Sequence, residues 1–257
     1  MRFLRFQTKE LGPRFGWLYE DKVGEVDGDL FSAYRRLDPD TPVDSIKLLP
    51  PVQPGKIICV GRNYEAHAKE HGSSVGEIPI LFLKPSTSLI GSGDPIVLPS
   101  QSQQVQHEAE LAVIIGKKGR WIQPENAMDH VFGYTIANDV TARDLQRRDA
   151  QWTRAKGFDT FCPLGPWIET DFDTADALIT CHVDNELRQM TSTRDMVITI
   201  PPLIVYISSI MTLEPGDVIL TGTPAGVGDL RASNTVTITI EDLGTLTNPV
   251  VNETHPS

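Results

Sequence analysis

His107-Glu108-Ala109-Glu110-Leu111-Ala112-Val113-Ile114-Ile115 is the stretch that decides how this chain folds. It is aliphatic, rich in β-branched residues and stopped by Gly116, so it predicts a strand over Val105–Ile115. Residues two apart in a strand share a face. Glu108 and Glu110 therefore point the same way as Ala112 and Ile114. Two carboxylates beside an apolar stripe are costly when buried, because each loses hydration and each repels the other. A divalent cation would neutralise both. The alternative is that both glutamates sit at the open end of the strand, in water.

A second strand, Phe132–Val140, carries Asp139 at its end. An acid there is placed to join Glu108 and Glu110. Three carboxylates without a Cys or His pair nearby form a hard, oxygen-only set that suits magnesium, manganese or calcium and not zinc or copper. Asp139 could instead cap the helix that follows, since Asp is a favoured cap. That helix is expected to start at Thr141-Ala142-Arg143-Asp144, which resembles a capping box, and to reach Trp152.

Further strands are expected at Met1–Phe6, Gly16–Tyr19, Val23–Val26, Lys56–Val60, Ile80–Leu83, Val218–Leu220 and Thr235–Ile240. Leu178–Val183 and Glu186–Met190 flank a hairpin signal, Asp184-Asn185. A short helix or a loop is expected over 63–71 and one or two helical turns over 124–128, and Pro202 suits the first turn of a helix running to about Met211. Strands outnumber helices and do not alternate with them. That excludes a Rossmann or TIM arrangement and favours an α+β, mainly β fold. Leu49-Pro50-Pro51-Val52-Gln53-Pro54-Gly55 stops regular structure, so a boundary is placed there. It divides the chain into a small N-terminal β domain, 1–54, and a larger unit, 55–257. The first is too small to be trusted to fold alone.

The 257 residues carry a formal net charge of −11. An acidic balance argues against nucleic acid and against an anionic membrane surface, both of which call for basic patches. No run approaches a membrane span, and the apolar run at the N-terminus is too short for a signal peptide. Cys59, Cys162 and Cys181 are far apart and odd in number, so neither a disulfide framework nor a zinc site is expected, and Cys59 reads as a buried, inert thiol. A reducing cytoplasm fits. Asn252-Glu253-Thr254 matches a glycosylation sequon, which has no meaning without secretion.

Three other segments carry reactive groups. His67 and Glu70 are three apart, and on a helix they meet. A carboxylate beside an imidazole raises its basicity and fixes its orientation, as a general base requires; on spacing alone an exposed charged helix face is the favoured reading. Lys156, among aromatics and glycine, could hold an anion or lie on the surface. The turn Thr221–Gly228 offers successive backbone N–H groups that can hold a carboxylate, and it lacks the ending of a phosphate loop. A plain glycine-rich turn is its simpler reading.

As a set, several segments resemble the fumarylacetoacetate hydrolase family. They are Val60-Gly-Arg-Asn-Tyr-Glu-Ala-His67-Ala-Lys-Glu70, Phe82-Leu-Lys84-Pro85, His107-Glu-Ala-Glu110-Leu111, Asn138-Asp139-Val-Thr-Ala-Arg143-Asp144, Trp152-Thr-Arg-Ala-Lys156, Cys162-Pro-Leu-Gly-Pro166 and Leu213–Pro224. The resemblance implies a mixed β-sheet roll, a homodimer, and Mg2+ or Mn2+ on Glu108, Glu110 and Asp139. It implies a catalytic His67–Glu70 pair on a lid over roughly 65–80, with Lys156 as the active-site lysine. Arg62, Tyr64, Gln146 and Thr223 would contact substrate or shape the pocket. The substrate implied is a small-molecule 2-oxo acid, held by its carboxylate and 2-oxo oxygen. The leading expectation is a hydrolase that cleaves a C–C bond in a 3-acylpyruvate such as fumarylpyruvate or acetylpyruvate. The alternative is an isomerase or decarboxylase acting on an oxo-dicarboxylate of the 5-carboxymethyl-2-oxohex-3-enedioate type, or an oxaloacetate decarboxylase. A non-catalytic 2-oxo acid binder fits less well, having no need of His67 and Glu70.

Overall fold

The strand Ala109–Ile115 is buried along its whole length, with a partner on either side. In the computed structural model, which describes residues 1–70 and 72–254, it lies inside a mixed sheet of thirteen strands. The main path of that sheet runs Tyr34–Arg36, Lys22–Gly28, Arg14–Tyr19, Arg2–Gln7, Cys162–Glu169, Val131–Asn138, Ala109–Ile115, Val218–Leu220, Ile57–Gly61 and Ile80–Lys84. Most pairs are antiparallel; Val218–Leu220 runs parallel to Ile57–Gly61. A second sheet of five strands has the order Ile96–Leu98, Gly244–Asn252, Thr235–Ile240, Leu178–Val183, Glu186–Ser192. The fold is thus mainly β, as the patterning predicts, and its sheets are mixed, as the resemblance implies.

Alternation along the acidic strand divides the core in two. Leu111, Val113 and Ile115 pack with the aliphatic residues of the second sheet and of the helix α4 (Ile200–Ile210). Ala112 and Ile114 pack on the other side with Ile57, Cys59, Cys162, Leu164 and Leu220. Glu110 shares a face with the second group. The three thiols are buried and form no disulfide, and burial pushes Cys162 and Cys181 up to about 12, which disfavours their thiolates.

The expected strand Val105–Ile115 is interrupted. Val105–Gln106 pairs separately with Thr141–Ala142. His107 and Glu108 leave the ladder because their N–H groups go to Gly228 O (3.3 Å) and Asn138 Oδ1 (2.9 Å). The single helix expected from Thr141 to Trp152 is two short ones, α2 (Arg143–Arg148) and α3 (Thr153–Lys156). The capping box does not form. Asp144 instead accepts from Ser102 Oγ at 2.6 Å and Gln103 N at 3.0 Å, which anchors the loop before the acidic strand. The hairpin at Asp184-Asn185 forms, with Asp184 left-handed at φ 56°. The helix expected over 63–71 is α1 (Glu65–Glu70); His71 lies outside the described residues, as do 255–257.

The N-terminal strands continue the large sheet. Arg2 pairs with Glu169 and Phe3 with Ile168, while Lys47–Leu49 lies along the other half of Arg2–Gln7. Among the described residues, no helix is long and apolar enough to cross a membrane.

Candidate active site

The sheet register brings the carboxylates together. Ala109 pairs with Asn138 and Glu110 with Ala137, so Glu108 and Asp139 face each other just beyond the ladder. The Asp139 N–H donates to Glu108 O at 2.9 Å and fixes that approach. One carboxylate oxygen from each of Glu108, Glu110 and Asp139 lies within 4.8 Å of the others, and all three residues are buried.

Each carboxylate has a different environment. Glu108 Oε2 accepts from Lys156 Nζ at 2.7 Å, and its other oxygen is paired with the Arg143 guanidinium. Burial alone would raise its pKa, but Lys156 and Arg143 outweigh it and hold the group well below the usual carboxylate range. Asp139 is bridged by Lys84 Nζ and Lys156 Nζ, each at 2.6 Å. Among the described residues no cation pairs with Glu110; its Oε2 accepts from Gly222 N at 2.7 Å. Burial, then the nearby Asp139 and Glu108 charges, push it well above its ordinary value. Burial alone would lower Lys156, but Asp139 and Glu108 keep it charged.

A cluster of hard oxygens whose third member lacks a counter-charge fits a divalent cation. Glu108, Glu110 and Asp139 would hold the ion, and its charge would offset what Gly222 alone cannot.

Above the carboxylates lies a cavity of about 250 Å³. It is lined by the triad and by Arg62, His67, Arg143, Gln146, Arg147, Lys156 and Thr223, with Phe82 and Trp152 as an aromatic wall. The two rings meet edge to face at 5.3 Å. Gly61 permits this, since a Cβ there would stand 2.9 Å from the Trp152 ring. Arg62 follows with a left-handed backbone, φ 59°, at the turn into α1. That turn is held by Asn63, whose amide bonds Ile198 O (2.9 Å), Thr221 O (2.8 Å) and Ile198 N (2.8 Å).

His67 reaches the cavity from α1, and its Nδ1 is 3.6 Å from Glu70 Oε2. Glu70 does not line the cavity; the Gly226 N–H donates to its Oε2 at 3.2 Å. Tyr64 is not in the cavity either. It is buried behind α1, facing a separate groove with Lys69, Met190 and Asp195. Burial raises its phenol, with Glu110 and Asp195 adding to the effect. The other expected site residues, Arg62, His67, Glu108, Glu110, Asp139, Gln146, Lys156 and Thr223, all border the one cavity. Lys84, Arg143, Arg147 and Trp152 were not singled out from sequence, although three of them lie in quoted motifs. A lysine or arginine in a motif does not announce its partner, which only the fold supplies.

A sequence model described as fumarylacetoacetate (FAA) hydrolase C-terminal matches residues 56–251, and one described as Rv2993c-like, N-terminal matches residues 1–51. The chain belongs to the fumarylacetoacetate hydrolase family. It is 47% identical over 220 residues to oxaloacetate tautomerase fahd2, mitochondrial, of Xenopus laevis, covering 80% of this chain and 69% of that protein. The crystal structure of 2-hydroxyhepta-2,4-diene-1,7-dioate isomerase from Mycobacterium marinum matches at 40% identity and a TM-score of 0.92, covering 99% of this chain and 100% of that one. Maleylpyruvate hydrolase from Sphingobium sp. SYK-6, solved with manganese(II) and pyruvate, matches at 33% identity and a TM-score of 0.81, covering 99% and 100%.

Proposed function

We propose that this chain is a divalent-metal-dependent enzyme that moves a proton at the carbon beside the carbonyl of a 2-oxo dicarboxylic acid, as a tautomerase or isomerase does. The charge balance of the buried site carries this reading. Glu108, Glu110 and Asp139 stand against Lys84, Lys156 and Arg143, three charges of each sign when all are ionised. A divalent cation added to that set leaves an excess of two positive charges, which a dicarboxylate dianion offsets. Similarity over most of the chain to proteins named oxaloacetate tautomerase and 2-hydroxyhepta-2,4-diene-1,7-dioate isomerase supports the same class.

When bound, the ion would supply a Lewis acid for the substrate's carboxylate and 2-oxo oxygen. The chain's own residues do the rest. Glu70 Oε2, 3.6 Å from His67 Nδ1, is placed to orient the ring when it takes up a proton, and we assign proton transfer to Nε2, the ring nitrogen away from that carboxylate. Gln146 accepts from Arg143 through Oε1, which leaves its amide N–H groups for the substrate. Arg62 and Arg147 border the cavity and suit the distal carboxylate. Phe82 and Trp152 cover the hydrocarbon between the two charged ends and exclude water from it.

Hydrolysis of an acylpyruvate, the reaction expected first from the sequence, is the second reading; likeness to a maleylpyruvate hydrolase supports it. There His67 would activate water instead of moving a substrate proton. The two readings separate in one assay. With Mn2+ or Mg2+ present, decay of the enol absorbance of oxaloacetate should be accelerated by the protein, and His67→Ala should lower that acceleration about 100-fold or more. Equal rates in the two proteins would end the proposal. Pyruvate release from acylpyruvates without any tautomerase activity would promote the second reading.

A further inference from the structure

Gln189 lies in the strand Glu186–Ser192, at the edge of the five-stranded sheet, between exposed neighbours. It is wholly buried (0% exposed) and does not border the cavity. Its amide makes four contacts, and together they exhaust it. Oε1 accepts from Ala109 N at 3.0 Å and faces His107 Nδ1 at 3.0 Å. Nε2 donates to Thr223 Oγ1 and to Pro224 O, both at 2.9 Å. The Ala109 N–H can only donate and the Pro224 carbonyl can only accept, so the amide cannot be turned over. His107 must then carry its proton on Nδ1. Thr223 Oγ1 receives one bond from Gln189 and sends its own hydrogen to Ala109 O at 2.9 Å. Its hydroxyl is therefore a structural tie, with no hydrogen left to offer an anion in the cavity.

This amide is one rivet in a seam. The loop Thr221–Gly228 runs beside the acidic strand and bonds to it repeatedly. Thr221 N and Oγ1 reach Leu111 O at 3.1 and 2.8 Å, and Gly222 N reaches Glu110 Oε2 at 2.7 Å. Farther on, the Gly226 N–H reaches Glu70. Gly226 also rests on the hairpin backbone, where a Cβ would meet Arg188 O at 2.1 Å. The turn that looks from sequence like an anion holder thus spends two N–H groups on the protein's own carboxylates, Glu110 and Glu70.

We infer that Gln189 is a positioning residue, which pins the Thr221–Gly228 loop to the acidic strand and through that loop sets where Glu110 and Glu70 stand. The metal part of this inference rests on the triad reading proposed above. The test uses Gln189→Met, which keeps length and volume and removes all four polar contacts, and follows two quantities. Amide exchange in the segment 221–228 should quicken at least tenfold, with that of Val131–Asn138 unchanged. The dissociation constant for Mn2+ should rise at least tenfold. Exchange that is unchanged, or that quickens equally throughout, overturns the inference. Faster local exchange in a protein that binds no Mn2+ even as wild type keeps the positioning role and ends the metal reading. Should Gln189→Met fail to fold, Gln189→Glu replaces it. A carboxylate still accepts from Ala109 N and His107 but cannot donate to Pro224 O, so loosening confined to 221–228 is again expected, and its absence overturns the inference.

Discussion

Glu110 is the residue on which the site depends. It is buried beside two other carboxylates, and its direct partner is the neutral Gly222 N–H. Glu110→Gln removes the ionisable carboxyl while keeping the Gly222 contact through its amide oxygen. The variant should fold at least as stably as the wild type without metal, and should lose Mn2+ binding about 100-fold; thermal melts with and without Mn2+ check both. The pH dependence has a definite sign. A raised pKa means that Glu110 holds a proton at pH values where an ordinary glutamate has lost it, and an arriving cation must displace that proton. Mn2+ affinity should therefore fall as pH drops through the raised value and level off above it, as titration calorimetry at several pH values would show. Lys84 offers a contrast, since both it and its partner Asp139 lack solvent contact. Lys84→Met leaves that carboxylate with Lys156 alone, at a cost of about 3 kcal/mol in chemical denaturation. Glu108, Glu110 and Asp139 could be singled out from sequence because alternation and strand ends are local patterns. Lys84, Gln189 and Asn63 could not, because their partners are distant in sequence: Lys84 reaches Asp139, Gln189 reaches Ala109 and Asn63 reaches Ile198.

Short elements carry the proposed catalytic groups, and their ends were the hardest to place. The acidic strand breaks at His107 because side chains and a loop take its backbone donors. Asp144 looks like part of a cap and is a loop anchor, since its carboxylate accepts from Ser102 Oγ and Gln103 N. The pairing of α1 with the glycine loop is equally invisible in a linear reading. It predicts that Gly226→Ala is damaging on two counts. The backbone is left-handed (φ 96°), and the new methyl would strike the Arg188 carbonyl. A loss of about 2 kcal/mol or more is expected in denaturant melts, with weaker protection of α1 in amide exchange. The aromatic wall has a simpler consequence. Trp152→Ala should widen the cavity and admit bulkier 2-oxo acids, seen as a shift in relative kcat/KM across a chain-length series; an unchanged ranking would remove Trp152 from specificity.

Over the whole chain, the strand count and the lack of strand–helix alternation were enough to reach a mainly β architecture, and the mixed sheet followed from the family resemblance. How the N-terminal strands attach was not readable, because pairing of Arg2–Gln7 with Cys162–Glu169 joins segments about 160 residues apart, and sequence patterning carries no signal over such distances. That pairing bears on the proposed boundary at residue 54. Removing 1–54 would bare the Cys162–Glu169 edge, the buried Ile168 and the half-buried Phe132 near it. Residues 55–257 alone should aggregate on size-exclusion chromatography, whereas a monodisperse, folded product would show that the larger unit is self-sufficient. Everything proposed about chemistry requires one hard dication among Glu108, Glu110 and Asp139. Titrating the metal-stripped full chain with Mn2+ by electron paramagnetic resonance measures this most directly. One tightly bound ion per chain, lost in Glu110→Gln, is the predicted result; no bound ion, or binding indifferent to that substitution, would contradict it.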